Sequence, residues 1–417
     1  MKLKTLVILV ALAVILCGLA YYTNREKNKV CAPAALGRKV LPNLQINSIG
    51  KIAVTSQEGT TILVRENGKW IVASRFNYPA NFDKIADTMR ELSELKIGQT
   101  VNLSSSEIAS FNLLDPRTGT NKVSGSGTLV ELRDAKNGLL ASLVVGKDFM
   151  RQPASSPQES MMMGGFGGYA DGQYIKTTDN KVYLVSKTLG RLTEDAKTWL
   201  ENTLINVPSD DLKEITVTGP DRAAIKLTRP EDGGSFELAD VKAEEGTPEN
   251  SKISQMANAL SQFSFDDVAA PDITARETGL DRPIVFTATA KDGLIYKLRI
   301  GNSLTNDTFN RYFTISVTNN PAIVREASQT NKEAKAESAD KKEELKKNPA
   351  EEAAAMNSRF GSWTYVIKSY RAEPLLYQRG DLIKKPEPPK SEETQTDTPS
   401  AKSDEKTKKS SKNKSKK

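Results

Sequence analysis

The second half of this chain repeats the first, and a duplication restricts the possible folds more than any single motif does. Near the start of the first half stand "KIAVTS" and "TTILVRENGKWIVAS"; the second half has "EITVTG" and "AAIKLTRPEDGGSFELA" in the same order. In both, short runs rich in Val, Ile and Thr alternate with polar residues and are interrupted by Gly, Asn or Asp. That is the pattern of antiparallel strands joined by tight turns. An amphipathic segment follows each time. "FDKIADTMRELSELKI" spaces Ile85, Met89, Leu92 and Leu95 along one helix face, and "NSKISQMANALSQFSF" does the same with Ile253, Met256, Leu260 and Phe263. Asn81 and Asn250 precede these runs as N-caps.

The correspondence continues with its order preserved. "FNLLDP" from Phe111 answers to "TGLDRP" from Thr278, and "LVELRDAKNGLLASLVVGK" to "VFTATAKDGLIYKLRIGN", with Gly138 and Gly146 spaced like Gly293 and Gly301. "GQYIKTTDNKVYLVSK" answers to "NRYFTISV" and, after an interruption, to "SWTYVIKS". Asn137-Gly138 and Asp292-Gly293 predict type I′ hairpins. The expected fold is α+β, with two tandem repeats of antiparallel β-sheet and packed helices over 51–207 and 208–383, after an N-terminal transmembrane helix. A closing helix is expected in "TLGRLTEDAKTWLENTLI", burying Leu192, Trp199 and Leu200, while its counterpart "YRAEPLLYQRGDLI" is broken by Pro374. The second repeat also carries a charged insertion at about 328–356. Its helix formers have almost no apolar face, which predicts a solvated helix or a disordered excursion.

Ahead of the repeats, Leu6 to Tyr22 is an uninterrupted apolar run. As a helix it spans roughly 25 Å, against a bilayer core of about 30 Å. Residues 1–24 therefore read as a membrane anchor, with Tyr21 and Tyr22 at the interface. A cleaved signal peptide, using the small residues Gly18 and Ala20, is the competing reading. A lipoprotein reading through Cys17 is opposed by the bulky Leu16 before it. Residues 25–50 read as a linker, and the short N-terminal flank places the body outside the cytoplasm. At the other end, residues 384–417 lack aromatic and aliphatic anchors and read as a disordered, Lys-rich tail. Its last twelve residues, "KTKKSSKNKSKK", hold seven lysines and no acid, which accounts for the whole net charge of +7. No aromatic interleaves with them, so nucleic acid is not an expected partner.

The chain has no histidine. That removes the commonest metal ligand and the usual general base for a serine or cysteine nucleophile. Cys17 and Cys31 are the two cysteines and both precede the repeats, so no disulfide framework or thiolate cluster reaches them. No catalytic, cofactor-binding or metal-binding residue is assigned. Asp115 and Asp281 are read as the acids at equivalent places in the two units, and turn capping is their expected role rather than a paired-carboxylate chemistry. Trp70 and Phe236 also match and are expected in the core, as are Met89 and Met256.

The stretch "MMMGGFGGYADG", Met161 to Gly172, invites two ligand-binding readings. "GGFGGYA" aligns with G-x-G-x-x-A, but a dinucleotide fingerprint needs a strand before it and a helix after it, and the following "GQYIKTT" reads as a strand. Three consecutive methionines have no histidine or cysteine to complete a copper(I) site. What remains is an enlarged connection between two strands, with Met161, Met162, Met163, Phe166 and Tyr169 as a partner-contact loop.

Taken together, the N-terminal anchor, "GKWIV", "NYPANFDKIADTMRELSELKI", "FNLLDP" or "TGLDRP", "LRIGN" and "KVYLVSK" resemble the domain-of-unknown-function 4340 family, over roughly Lys51 to Ile383. The first unit departs from the family's Gly-Leu-Asp pattern with Leu113-Leu114-Asp115, and the second has the charged insertion. The resemblance implies a bacterial envelope protein, single-pass in the inner membrane with a periplasmic body, sometimes associated with gliding-type or other ABC transporter components. It supplies no catalytic residues. The implied partners are membrane lipid, through the N-terminal helix, and a membrane protein such as an ABC transporter component. Two functions stay open: a non-catalytic accessory or partner-binding component of such a system, or a hydrolase of envelope polymers working through carboxylates alone.

Overall fold

Nine strands of the first half share one sheet in the computed structural model, which describes residues 36–118, 123–151, 169–230, 233–242, 245–321 and 348–384. They are β1 (Ile49–Thr55), β2 (Thr60–Glu66), β3 (Lys69–Val72), β4 (Tyr78–Pro79), β5 (Ile97–Val101), β6 (Thr128–Asp134), β7 (Leu139–Arg151), β8 (Tyr169–Thr177) and β9 (Val182–Val185). Their order across the sheet is β4-β3-β2-β1-β6-β7-β8-β9-β5. Every pairing is antiparallel. Helices α1 (Phe82–Glu94) and α2 (Ser105–Ser110) lie between β4 and β6 in the chain.

The second half contains β10 (Thr203–Ile205), β11 (Leu212–Thr218), β12 (Ile225–Thr228), β13 (Glu237–Leu238), β14 (Thr247–Pro248), β15 (Phe263–Ser264), β16 (Asp267–Val268), β17 (Ile284–Ala290), β18 (Leu294–Leu304), β19 (Asp307–Asn319), β20 (Tyr365–Lys368) and β21 (Ile383–Lys384). Its helices are α3 (Asn250–Ala257), α4 (Ala275–Thr278), α5 (Pro349–Phe360) and α6 (Ser369–Leu376). Eight of these strands form a sheet in the order β13-β12-β11-β17-β18-β19-β20-β16, the same path that β3-β2-β1-β6-β7-β8-β9-β5 takes. The far edge is taken by a strand after the amphipathic helix in both, β5 directly after α1 and β16 after α3 and the short β15, which pairs with β10. One strand differs: β4 extends the first sheet, whereas β14, also just before a helix, pairs with β21. The fold is thus α+β, built on antiparallel sheets.

Alternating side-chain chemistry explains the registers. In β1, Ile49, Ile52 and Val54 are buried, and in β11 Leu212, Ile215 and Val217 take the same places. Each strand slips register at the same point against its neighbour, between Ile49 and Lys51 and between Leu212 and Glu214. Helix α1 starts where expected, the Asn81 Oδ1 accepting from the Lys84 amide at 2.8 Å, and buries Ile85, Thr88, Met89 and Leu92. Its counterpart α3 buries Ile253 and Met256, but its cap falls on Glu249 and Asn250 is already helical.

Four other expectations are corrected. The hairpins at Asn137-Gly138 and Asp292-Gly293 are not type I′, which needs two adjacent residues at positive φ. Asn137 (φ 68) is left-handed in one and Gly293 (φ 92) in the other. Each ends a four-residue turn closed on Asp134 O or Ala290 O, so these two residues, offset by one in the aligned sequences, do the same work. The closing helix of the first half is absent. Leu189, Leu192, Trp199 and Leu200 are buried, but by a loop with one 3-10 turn, Ala196–Trp199, which Asp195 starts by accepting from the Lys197 amide. Helical spacing of apolar residues is equally satisfied by a loop laid across a core. Its counterpart is a helix after all, α6, which contains Pro374 and continues to Leu376.

The insertion is the fourth correction. Residues 322–347 lie outside the described region, yet 349–356 belong to α5, which is packed rather than solvated. Pro349 sits at its first turn, the Asn348 side chain caps it, and Ala353 and Phe360 are buried with Met356 packed against the core. Asn357 pins α5 to β19, its amide donating to Val317 O at 2.6 Å and its carbonyl oxygen accepting from Val317 N at 2.9 Å. Residues 1–35, including the expected membrane segment, and the tail from 385 also lie outside the described residues. Among those described, no helix is long and apolar enough to cross a membrane. The expected linker over 25–50 is partly structured: residues 37–40 run along the start of β5, with Gly37 N on Ile97 O at 2.8 Å and Val40 N on Leu95 O at 2.8 Å.

Buried residues of both halves form one contiguous core. At the seam Tyr78 of β4 enters the second half and meets Trp363, Phe265 and Tyr365 edge-on, with ring centroids 4.9, 5.2 and 6.1 Å away. Burial pushes the phenols of Tyr78 and Tyr365 up from the ordinary tyrosine value, so both stay neutral. Beside them Asp267 of β16 takes Arg75 Nε at 3.1 Å and Lys197 Nζ at 3.3 Å, both from the first half.

Candidate functional site

The longest feature of the first sheet is the ribbon made by β7 and β8. Its base is built by close backbone approach. A Cβ at Gly146 would fall on the Phe111 carbonyl oxygen, and one at Gly301 on that of Thr278, so each glycine lets a ribbon cross the turn that follows α2 or α4. Gln173, itself buried, donates to Gly146 O at 3.1 Å and accepts from the Leu189 amide at 2.7 Å. Arg311 holds the equivalent place in the second ribbon, donating to Gly301 O at 3.3 Å. Tyr174 packs edge-on to Phe111 and Phe149, with centroids 4.6 and 6.3 Å away.

Above this base the ribbon carries apolar groups into solvent. Pairing continues to Met150↔Ala170 and Arg151↔Tyr169, and Arg151 Nε meets Asp171 Oδ2 at 2.7 Å. Met150 is 52% exposed and Tyr169 56%. Of the five expected contact residues, Tyr169 is placed here; Met161, Met162, Met163 and Phe166 lie outside the described residues. Sequence reasoning missed Met150, although the alternation of "VVGKDFM" opposite "YADGQYI" carries the ladder that far. The second ribbon presents Phe309, 81% exposed, near its own turn. The loop reading of Met161–Gly172 is corrected at its end, since Tyr169 to Gly172 already belong to β8.

The two aspartates are not equivalent. Asn112 (φ 54) and Gly279 (φ 71) are the left-handed residues that end α2 and α4, followed by buried Leu113 and Leu280. Counted from there, Asp281 matches Leu114 and Asp115 stands one residue further on. Asp115 is a turn residue as expected, its Oδ1 accepting from the Arg117 amide at 2.9 Å, with Arg117 Nη2 on Oδ2 at 2.8 Å. That hydrogen-bonded guanidinium holds its carboxyl below the ordinary aspartate range. Stability from this contact is present above about pH 4 and is lost as the pH falls through the depressed value. Asp115→Ala should cost about 1 kcal/mol at neutral pH and nothing once the wild-type carboxyl is protonated, as urea titrations at the two pH values would read. Of the two matched aromatics, Phe236 is buried under the Arg229 guanidinium, 4.7 Å from its ring, while Trp70 is half-buried.

No set of three or more His, Cys, Asp or Glu side chains among the described residues is close enough to hold a metal ion. The chemistry on offer at the ribbon end is contact: a thioether, a phenol and a paired Arg–Asp on a two-stranded support. Searches among curated proteins and among solved structures return no match. The family model described as a domain of unknown function, DUF4340, matches residues 70–283, just over half of the chain. That span opens within "GKWIV" in β3, crosses α1, both ribbon-base turns and the seam residues up to Asp267, and closes on the last residue of "TGLDRP" before β17. This chain belongs to the DUF4340 family.

Proposed function

We propose that this chain is a non-catalytic, partner-binding protein of the bacterial cell envelope. In this reading the apolar run Leu6 to Tyr22 holds it in the inner membrane, two copies of one ancestral unit form its extracytoplasmic body, and it serves a membrane system of the ABC transport type. The transport association follows from the family resemblance. The observation that carries the binding role is the exposure of Met150 and Tyr169 on a ribbon whose strand pairing continues, past two bulges, as far as Arg151↔Tyr169. Solvent-facing apolar groups on paired strands lose less conformational entropy when a partner covers them than the same groups on an unpaired loop. Tyrosine and methionine are both enriched in interface cores.

Recovery of partners from detergent-solubilised membranes tests this. With the tagged chain as bait, Met150→Ser combined with Tyr169→Ser should reduce recovery of a membrane-protein partner by about tenfold or more. Thermal stability should be unchanged, since both side chains face solvent. Equal recovery with the double variant removes the ribbon end from the interface.

A further inference from the structure

In the second half, α3, α6 and the start of β19 frame a groove of about 510 Å³. Tyr370 and Tyr377 form its aromatic walls, Lys252 and Arg311 supply positive charge, and Glu373 and Asp381 supply negative charge. The walls are held in place. Lys252 Nζ lies 5.4 Å from the Tyr377 ring centroid, and the Tyr377 hydroxyl donates to Gln255 Oε1 at 2.5 Å. The Ser369 hydroxyl ties the start of α6 to Thr308 O at 3.1 Å, leaving Tyr370 65% exposed. Groups of both charges beside two tyrosines suit an extended peptide that carries both charges itself.

A peptide of that composition follows the groove in the sequence. Asp381 is on its wall, and the described residues end three positions later at Lys384, no more than ~11 Å away at full extension. The sequence that follows is "KPEPPKSEE", Lys385 to Glu393. Pro386, Pro388 and Pro389 favour polyproline II, a conformation with little entropy left to lose, and proline-rich segments dock in aromatic-lined grooves. Lys385 and Lys390 complement Glu373 and Asp381, while Glu387, Glu392 and Glu393 complement Lys252 and Arg311. A short tether supplies an effective concentration in the millimolar range, so weak intrinsic affinity is sufficient.

We propose that this groove is the docking site for residues Lys385–Glu393 of the same chain. The inference does not depend on the partner contact at the β7–β8 ribbon. A benzoylphenylalanine in place of Tyr370 in the full-length chain tests it, because position 370 is exposed and an aromatic group is kept there. Irradiation of dilute protein should crosslink it to residues 385–393 within the same chain. Yield should fall about fivefold or more when Pro386, Pro388 and Pro389 are all replaced by glycine. Crosslinks to a second copy, to detergent or lipid, or to another protein in place of these residues overturn the proposal. So does an equal yield in the glycine variant.

Discussion

Tyr78→Ala should lower the stability of the body by about 3–5 kcal/mol, the range for truncating a large aromatic residue in a packed core. Tyr78 is 3% exposed and meets three aromatic rings of the second half, so its removal leaves a void that Trp363, Phe265 and Tyr365 cannot fill without leaving their own contacts. The effect should go beyond a lowered midpoint. With the seam hollowed, the two sheets lose part of their shared core, and a single denaturant transition should broaden or split in two. Tyr78→Phe keeps the ring and should cost no more than about 1 kcal/mol. An unchanged, single transition in Tyr78→Ala would show that the seam does not couple the halves.

Gly301→Ala should cost about 3 kcal/mol, with Gly146→Ala close behind, at the upper end for inserting one methyl group. Neither glycine has a left-handed backbone, so strain in φ is not the cause. The obstacle is a carbonyl oxygen, Thr278 O in one case and Phe111 O in the other, and a backbone atom cannot turn aside as a side chain does. Gly59→Ala is the control. Nothing lies within 4 Å of a Cβ built there, and its stability should stay within about 0.5 kcal/mol of wild type. Thermal melts of the three variants read the comparison directly; equal melts for Gly301→Ala and Gly59→Ala would mean that the ribbon base shifts easily.

These glycines show what the sequence could carry and what it could not. Their identical spacing from Gly138 and Gly293 was legible, and so was the strand alternation that buries Ile52 with Val54 and Ile215 with Val217. Polarity with period two needs no tertiary knowledge. The reason for the spacing was not legible, because it lies in a contact with a turn over 20 residues away in the chain. Helix boundaries failed where one pattern fits two structures. Leu192, Trp199 and Leu200 have helical spacing, but Trp199 Nε1 donates to Thr193 O at 2.9 Å and the segment wraps as a loop. For α5 the charged stretch hid the apolar face, whose largest member, Phe360, stands beyond it.

The candidate sites divide in the same way. Tyr169 could be picked out because a duplication exposes an enlarged connection in one copy. Lys252, Arg311 and Tyr377 could not, since three separate segments bring them together and none carries a local signal. The offset between Asp115 and Asp281 was hidden by two similar motifs that differ by one residue after the left-handed position.

The pairing of residues 37–40 with the start of β5 sets a length. Since the body already holds the chain from Gly37, thirteen residues separate Tyr22 from Leu36, whatever their conformation. Fully extended they reach ~45 Å. If the segment ending at Tyr22 is embedded in the bilayer, the leash is too short for the body to sample distant partners in the compartment. Its working range is then a shell about one domain diameter deep above the membrane surface, and any partner must present its binding face within that shell.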